Sequence, residues 1–344
     1  MSSGGGTTAV IAALAANLAI AVAKFVAFAF TGSSSMLAEG VHSLADSGNQ
    51  VLLLVGGRRA RRDATAAHPF GYGRERYVYA FIVSIVLFSL GGVFAMYEGI
   101  HKIRDPHPLE SAGWAFGVLI FAIVAESFSF RTAIRETRPL LGGRSWWRFL
   151  RTSKAPELPV VLLEDLGALI GLVIALVGVS LAVVTDDGRW DGLGSLSIGV
   201  LLVVIAVFLG IEMKSLLIGE AAEPGQITAI ERALVDGTSI TRVIHLRTMH
   251  LGPDELLVGA KVAVLGDDTA RGVANAIDAA EARVRAAVPI ARVIYLEPDL
   301  YDAHRASAGG PTGRDDKMNP ESTAGPTEAP ANDAVRADPD REHE

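Results

Sequence analysis

The chain has 344 residues and no cysteine, which excludes a disulfide framework and any thiolate metal site, so a bound metal would have to be held by nitrogen and oxygen. Half of the residues are hydrophobic and they crowd into the first two thirds, a distribution that excludes an ordinary soluble protein and points to a membrane. The net charge of −7 is less informative than its placement.

Six apolar runs are long enough to cross a hydrocarbon core of about 30 Å at 1.5 Å per helical residue: residues 8–30, 34–57, 77–100, 112–133, 157–184 and 192–217. The first lacks a preceding basic region and outruns a signal-peptide core, so it reads as a retained span. Arginines are dense in the second connection (Arg58, Arg59, Arg61, Arg62, Arg74, Arg76) and in the fourth (Arg131, Arg135, Arg138, Arg144, Arg148, Arg151), which predicts that both face the cytoplasm. An even number of spans then places both termini there too. The expected setting is a multi-pass protein of a bacterial plasma membrane. Trp146 and Trp147 beside the second arginine group fit an anchor at the inner leaflet surface better than a nucleic-acid contact.

Within these apolar runs, ionisable residues are costly, about 2.5 to 3.5 kcal/mol each at mid-bilayer, and are therefore candidates for function. The second span reads SSSMLAEGVHSLADSGNQ, with His42 and Asp46 one helical turn apart and Glu39 on nearly the same stripe. An imidazole and a carboxylate so placed make half of a tetrahedral nitrogen and oxygen site, and the rest must come from another helix. The fifth span offers it in VVLLEDLGALIG, where Glu164 and Asp165 point about 100° apart, so that one of them faces the second span more squarely than the other. Asn17 and Glu126, in the first and fourth spans, fit either outer-sphere groups and proton carriers or plain interhelical hydrogen bonding. Gly167 and Gly171 read as positions of close helix packing.

After Lys214 the apolar runs stop. Pro224–Val235 has helical spacing with proline in the first turn, Arg242–His250 and Glu255–Val264 alternate as strands around a Gly252-Pro253-Asp254 turn, Asp268–Val288 returns to helical spacing, and Arg292–Leu296 is a third strand. The α-β-β-α-β order suits a small open sheet with helices on one face. Beyond Tyr301 there is almost no large apolar residue to offset ordering entropy, which predicts a disordered acidic tail. The fold class expected is thus an α-helical membrane protein with six transmembrane helices (1–217), a small α+β cytoplasmic domain (218–301) and a tail (302–344).

The stretch Ser33–Asp46, ending in His42-Ser43-Leu44-Ala45-Asp46, the loop HPFGYGRERY from His68 to Tyr77 and the α-β-β-α-β region together resemble the cation diffusion facilitators, the zinc transporter family. EGVHSLADSGNQ, VLLED and LGSLSIG (Leu193–Gly199) resemble the branch containing the human mitochondrial zinc exporter. The resemblance implies a homodimer, six spans per subunit, a metallochaperone-like cytoplasmic domain and metal exchanged for protons. It covers nearly the whole chain except the tail, with departures. Val161 stands where the family's fifth-span histidine is expected, leaving Glu164 to substitute; a shell poorer in nitrogen would bind zinc less selectively and leaves Mn2+, Fe2+ or Co2+ open. Tyr72 and Thr65 replace ligands of the family's peripheral site, which assigns His68 to loop packing. Tyr295 and Glu297 stand where metal-loaded members place His and Asp, although His245 and His250 are kept, so the soluble domain is expected to dimerise with little or no metal.

The function this predicts is transport of a divalent cation, zinc, by alternating access, with metal among His42, Asp46 and Asp165, completed by Glu164 or Glu39, and protons replacing it on the far side. No cofactor and no enzymatic activity are expected; the partners are the metal ion, protons, the lipid bilayer and a second subunit, without nucleic acid. The rival reading is a membrane-anchored metal sensor or scaffold that transports nothing, against which stand buried ligands on two different spans. A zinc hydrolase would commonly show more histidines and a separate general base, and no His-Glu-x-x-His element occurs.

Overall fold

The computed structural model describes residues 5–31, 34–106, 112–266 and 268–301. The predicted tail, 302–344, lies outside them. Helices α1 (Gly5–Thr31) and α2 (Ser34–Arg59) run against each other. Helix α3 (Glu75–Val86), a π-helical turn over Leu87–Val93 and α4 (Phe94–Arg104) form one continuous stretch, followed by α5 (Ala112–Thr137), a short α6 (Trp146–Thr152), α7 (Glu157–Thr185) and α8 (Arg189–Ile218). Lys102, two residues beyond the predicted run 77–100, is in the last turn of α4.

Among the described residues, five stretches are long and apolar enough to cross a membrane: Gly6–Phe30, Glu75–Arg104, Gly113–Leu140, Glu157–Thr185 and Arg189–Ile218. The remaining predicted run, 34–57, corresponds to α2 and is not among them. At 26 residues α2 has the length of a span, but the residues that make it interesting, Glu39, His42, Asp46, Asn49 and Gln50, dilute its hydropathy. Phe30, Val124, Phe128 and Val184 project from the bundle and are exposed, as side chains facing acyl chains must be.

Small residues set the tightest contact, between α4 and α8. A Cβ added at Gly199 would come within 2.6 Å of the Met96 backbone nitrogen, and one at Gly99 would strike the backbone of Leu196 and the Gly192 carbonyl. These two helices therefore meet backbone to backbone, where dispersion rather than water expulsion drives association. Gly167 admits Ile205 of α8 and Gly171 lies against Ile198 at ordinary contact distance, so the packing role expected of that pair holds in milder form.

The last third folds as α9 (Pro224–Leu234), β1 (Ile240–Gly252), β2 (Glu255–Val264), α10 (Ala270–Ala287) and β3 (Ala291–Asp299), the order expected. The sheet runs β1-β2-β3; β1 and β2 are an antiparallel hairpin, and α10 carries the chain over to β3, parallel to β2. The Gln226 side chain accepts from the Glu223 backbone N–H at 3.1 Å and closes the start of α9. Ile230, Leu234, Ile240, Leu256, Val258, Val262 and Val284 make a core of their own, separate from the core of the spans around Val83, Leu158, Val161, Leu209 and Met213.

Ion pairs join the two regions. Arg76 grips Glu157 through two hydrogen bonds of 2.5 and 2.9 Å and reaches Asp254 at the hairpin tip at 3.3 Å. Lys154 pairs with Glu220, Arg144 with Glu223 at 3.0 Å, and the His250 backbone N–H donates to the Glu220 carbonyl at 2.9 Å. Gly73 lies so close to the hairpin that a Cβ would come within 2.8 Å of the Leu251 carbonyl oxygen.

Candidate metal centre

Four helices turn polar side chains into one interior region. Helix α2 contributes Ser43, Asp46, Ser47, Asn49 and Gln50, which recur at three- and four-residue intervals and so share a face. Helix α1 adds Asn17 and Lys24, α5 adds Glu126 and Ser129, and α7 adds Glu164 and Asp165. Asp46, Glu126, Glu164 and Asp165 line a single cavity of about 260 Å³. Glu126, Glu164 and Asp165 are buried and Asp46 is half-buried.

Each carboxylate of α7 has assigned donors. The Asn49 amide donates to one Glu164 oxygen at 3.1 Å and the Gln50 amide to the other at 2.9 Å, while Asn17 donates to the Gln50 carbonyl oxygen at 3.4 Å. Asp165 accepts from the Ser129 hydroxyl at 2.7 Å. Adjacent residues of one helix therefore address different neighbours: Glu164 binds α7 to α2, and Asp165 binds it to α5. Lys24 donates to the Ser43 hydroxyl at 2.9 Å on the wall of the same cavity. A carboxylate has about four lone-pair sites, so one or two hydrogen bonds leave capacity for a cation.

Of the predicted site residues, Asp46, Glu164 and Asp165 come together on this cavity. The side chains of Glu39 and His42 lie outside the described residues; both positions belong to α2. Among the described residues, no three of His, Asp and Glu stand close enough to grip one ion. Sequence reasoning passed over Asn49, Gln50 and Ser129. A signal was present, because two consecutive amides follow Asp46 by three and four residues, and Ser129 follows Glu126 by three.

The loop after α2 packs on itself: the His68 ring lies 4.6 Å from that of Tyr72, whose hydroxyl meets that of Thr65 at 3.2 Å. In the sheet region His250 is buried, and its Nδ1–H donates to the Gly252 carbonyl at 3.3 Å. Its Nε2 has no hydrogen-bond partner among the described residues, and neither has Nδ1 of His245. Desolvation holds the His250 pKa below its ordinary value of 6.5, with Lys154 acting in the same direction against the Gly252 carbonyl, Glu220 and Glu223. Lys261 engages Glu297 at 3.1 Å and Asp299 at 2.7 Å.

Apolar helices closed around four carboxyl side chains define an integral, multi-pass membrane protein with a carboxyl-lined interior. The family model for the cation efflux transmembrane domain matches residues 10–218, and the chain belongs to that family. It is 32% identical over 241 residues to the Mus musculus protein named proton-coupled zinc antiporter SLC30A9, mitochondrial, and 31% identical over 241 residues to the Homo sapiens protein of that name; each match covers 70% of this chain and 42% of the relative. Metal tolerance protein C4 of Arabidopsis thaliana is 27% identical over 256 residues, covering 74% of this chain and 56% of the relative. The chain thus spans about 42% of the length of the mouse and human relatives. The resemblance to the mitochondrial zinc exporter branch is borne out. The expected bacterial plasma membrane is not supported, since these two relatives carry mitochondrial names; arginine placement orients helices in a membrane but does not say which membrane.

Proposed function

We propose that the chain carries a divalent metal cation, zinc, across a lipid bilayer in exchange for protons by alternating access. The observation that carries this reading is the convergence of Asp46, Glu126, Glu164 and Asp165 on one cavity inside a helical bundle, a concentration of negative charge that is costly in lipid unless a cation or protons neutralise it. The names of the zinc antiporter relatives support the choice of ion and of exchange. Asp46, Asp165 and His42 are the ligands; Glu164 and Glu39 assist. Glu164, already held by Asn49 and Gln50, also fixes α2 against α7, and Ser129 orients Asp165. Metal needs these ligands deprotonated, so protons and metal compete for one set of groups and their opposite movements are coupled without further machinery.

In this reading α2 is the sixth span and both termini face the arginine-rich side. The divisions are 1–217 for the transmembrane domain, 218–301 for a cytoplasmic dimerisation domain and 302–344 for the tail, and two copies make the working unit. Reconstitution in vesicles with an imposed pH gradient tests the proposal: zinc flux should follow the gradient and fall at least about tenfold, the loss of roughly one charge-assisted ligand interaction, in Asp165→Asn or His42→Ala. Flux indifferent both to the gradient and to these substitutions would defeat it, and a sensor or scaffold would show no flux at all.

A further inference from the structure

The carboxylate cavity does not stop at the carboxylates. Its wall follows α7 from Glu164 to Val179, about 22 Å at 1.5 Å per residue, between Val118 and Ala122 of α5 and Ser195 and Ile198 of α8. Glu98, Lys102 and Asp191 line it too. Lys102 bridges these two carboxylates, 3.1 Å from Glu98 one turn earlier on α4 and 3.0 Å from Asp191 in the first turn of α8. On the other side of Glu164 nothing comparable exists among the described residues: Leu158, Val160, Val161 and Leu162 are buried against the apolar core that includes Tyr77, Val83, Leu209 and Met213. The site is sealed toward the sheet domain and continuous with a narrow passage in the opposite direction.

We propose that the cation leaves the carboxylate cluster through this passage, toward the end of the bundle remote from the sheet domain, and that Lys102, held between Glu98 and Asp191, locks its mouth. The inference rests on the transport reading for the identity of the traveller. Lys102 repels a divalent cation directly, and its flexible four-carbon stem lets the ammonium move aside while the helices stay in place. They have little freedom to part, because α4 and α8 meet backbone to backbone where Gly99 lies against Gly192, beside the bridge. Opening is therefore a side-chain event, in which a leaving cation takes over the two carboxylates that Lys102 gives up.

The absence of cysteine provides the test. Ala168→Cys places a single thiol deep in the passage, one turn from Glu164. With the full chain in vesicles, a membrane-impermeant thiol reagent should reach it only from the side remote from the sheet domain. Lys102→Met should speed labelling roughly five- to thirtyfold, the weight of two part-exposed ion pairs, and Lys102→Arg should restore the slow rate. Val160→Cys, in the sealed half, should stay unlabelled and reports on folding. If Lys102→Met unfolds by that measure, Asp191→Asn, which frees the same lysine, carries the same expectation. Labelling from the sheet-domain side, no labelling at all, or rates unaffected by Lys102 and Asp191 would overturn the proposal. Labelling reads the route without zinc, so a failure of the transport reading would appear separately, as absent flux beside unchanged labelling.

Discussion

Replacing Arg76 by Met would leave Glu157 without its cation where the carboxylate is 8% exposed and the guanidinium 14%. Both hydrogen bonds, at 2.5 and 2.9 Å, are lost together. Stranding one member of a buried pair costs about 3 to 5 kcal/mol, and this pair, near a helix start, belongs at about 3. The reverse change, Glu157→Leu, leaves Arg76 in reach of Asp254, which is 53% exposed, and should cost only about 1 to 2 kcal/mol. Removing both charges strands neither, so the double variant should cost less than the two single effects combined by about 2 kcal/mol. Denaturant unfolding of the purified full chain in micelles, followed by tryptophan fluorescence, measures all four corners of the cycle. Single effects that add within about 0.5 kcal/mol would refute the reasoning, because the groups would then be independently solvated.

Other consequences are as specific. Gly199→Ala should destabilise the bundle by about 1 to 3 kcal/mol in the same unfolding assay, because the new methyl meets Met96 backbone, whereas Gly171→Ala, whose nearest neighbour is Ile198 at 3.4 Å, should be close to neutral. Ser129→Ala should weaken zinc flux a few-fold while Ser129→Thr retains it, since only the hydroxyl to Asp165 is at stake. The depressed His250 pKa has a definite sign: the unfolded chain binds the proton first, so stability from this residue is complete above about pH 6.5 and is lost as pH falls through the lower folded value. Unfolding midpoints of His250→Leu should therefore change less between pH 7 and pH 5 than those of the parent chain.

Periodicity alone made the sheet region legible. Alternation in Glu255–Val264 and the Gly-Pro-Asp turn located β2 and its hairpin to within a residue or two, because burying one sheet face imposes that alternation. The carboxylates Asp46, Glu164 and Asp165 were legible for a different reason: charge in an apolar run is conspicuous. Their donors were not, since Asn49, Gln50 and Ser129 are uncharged and only three-dimensional pairing distinguishes them from ordinary helix polarity. The glycine contact of α4 with α8 escaped for a similar reason, the partners, Gly99 with Gly192 and Gly199 with Met96, being remote in the chain. The third run was ended at residue 100 because a charge reads as the end of a span, whereas α4 continues through Lys102 to Arg104.

The unbroken helical stretch Glu75–Arg104 carries one ion cluster near each end, at Arg76 and at Lys102. Those residues are separated by about 39 Å of helix, more than the roughly 30 Å of acyl chain in a common bilayer. Both clusters accordingly fall at headgroup depth, one per leaflet, with mostly apolar surface for the tails between them. Thicker lipid would draw hydrocarbon over one of these charged collars and thinner lipid would drown the apolar shoulder below it, so acyl length becomes a physical setting on the mouth that Lys102 occupies.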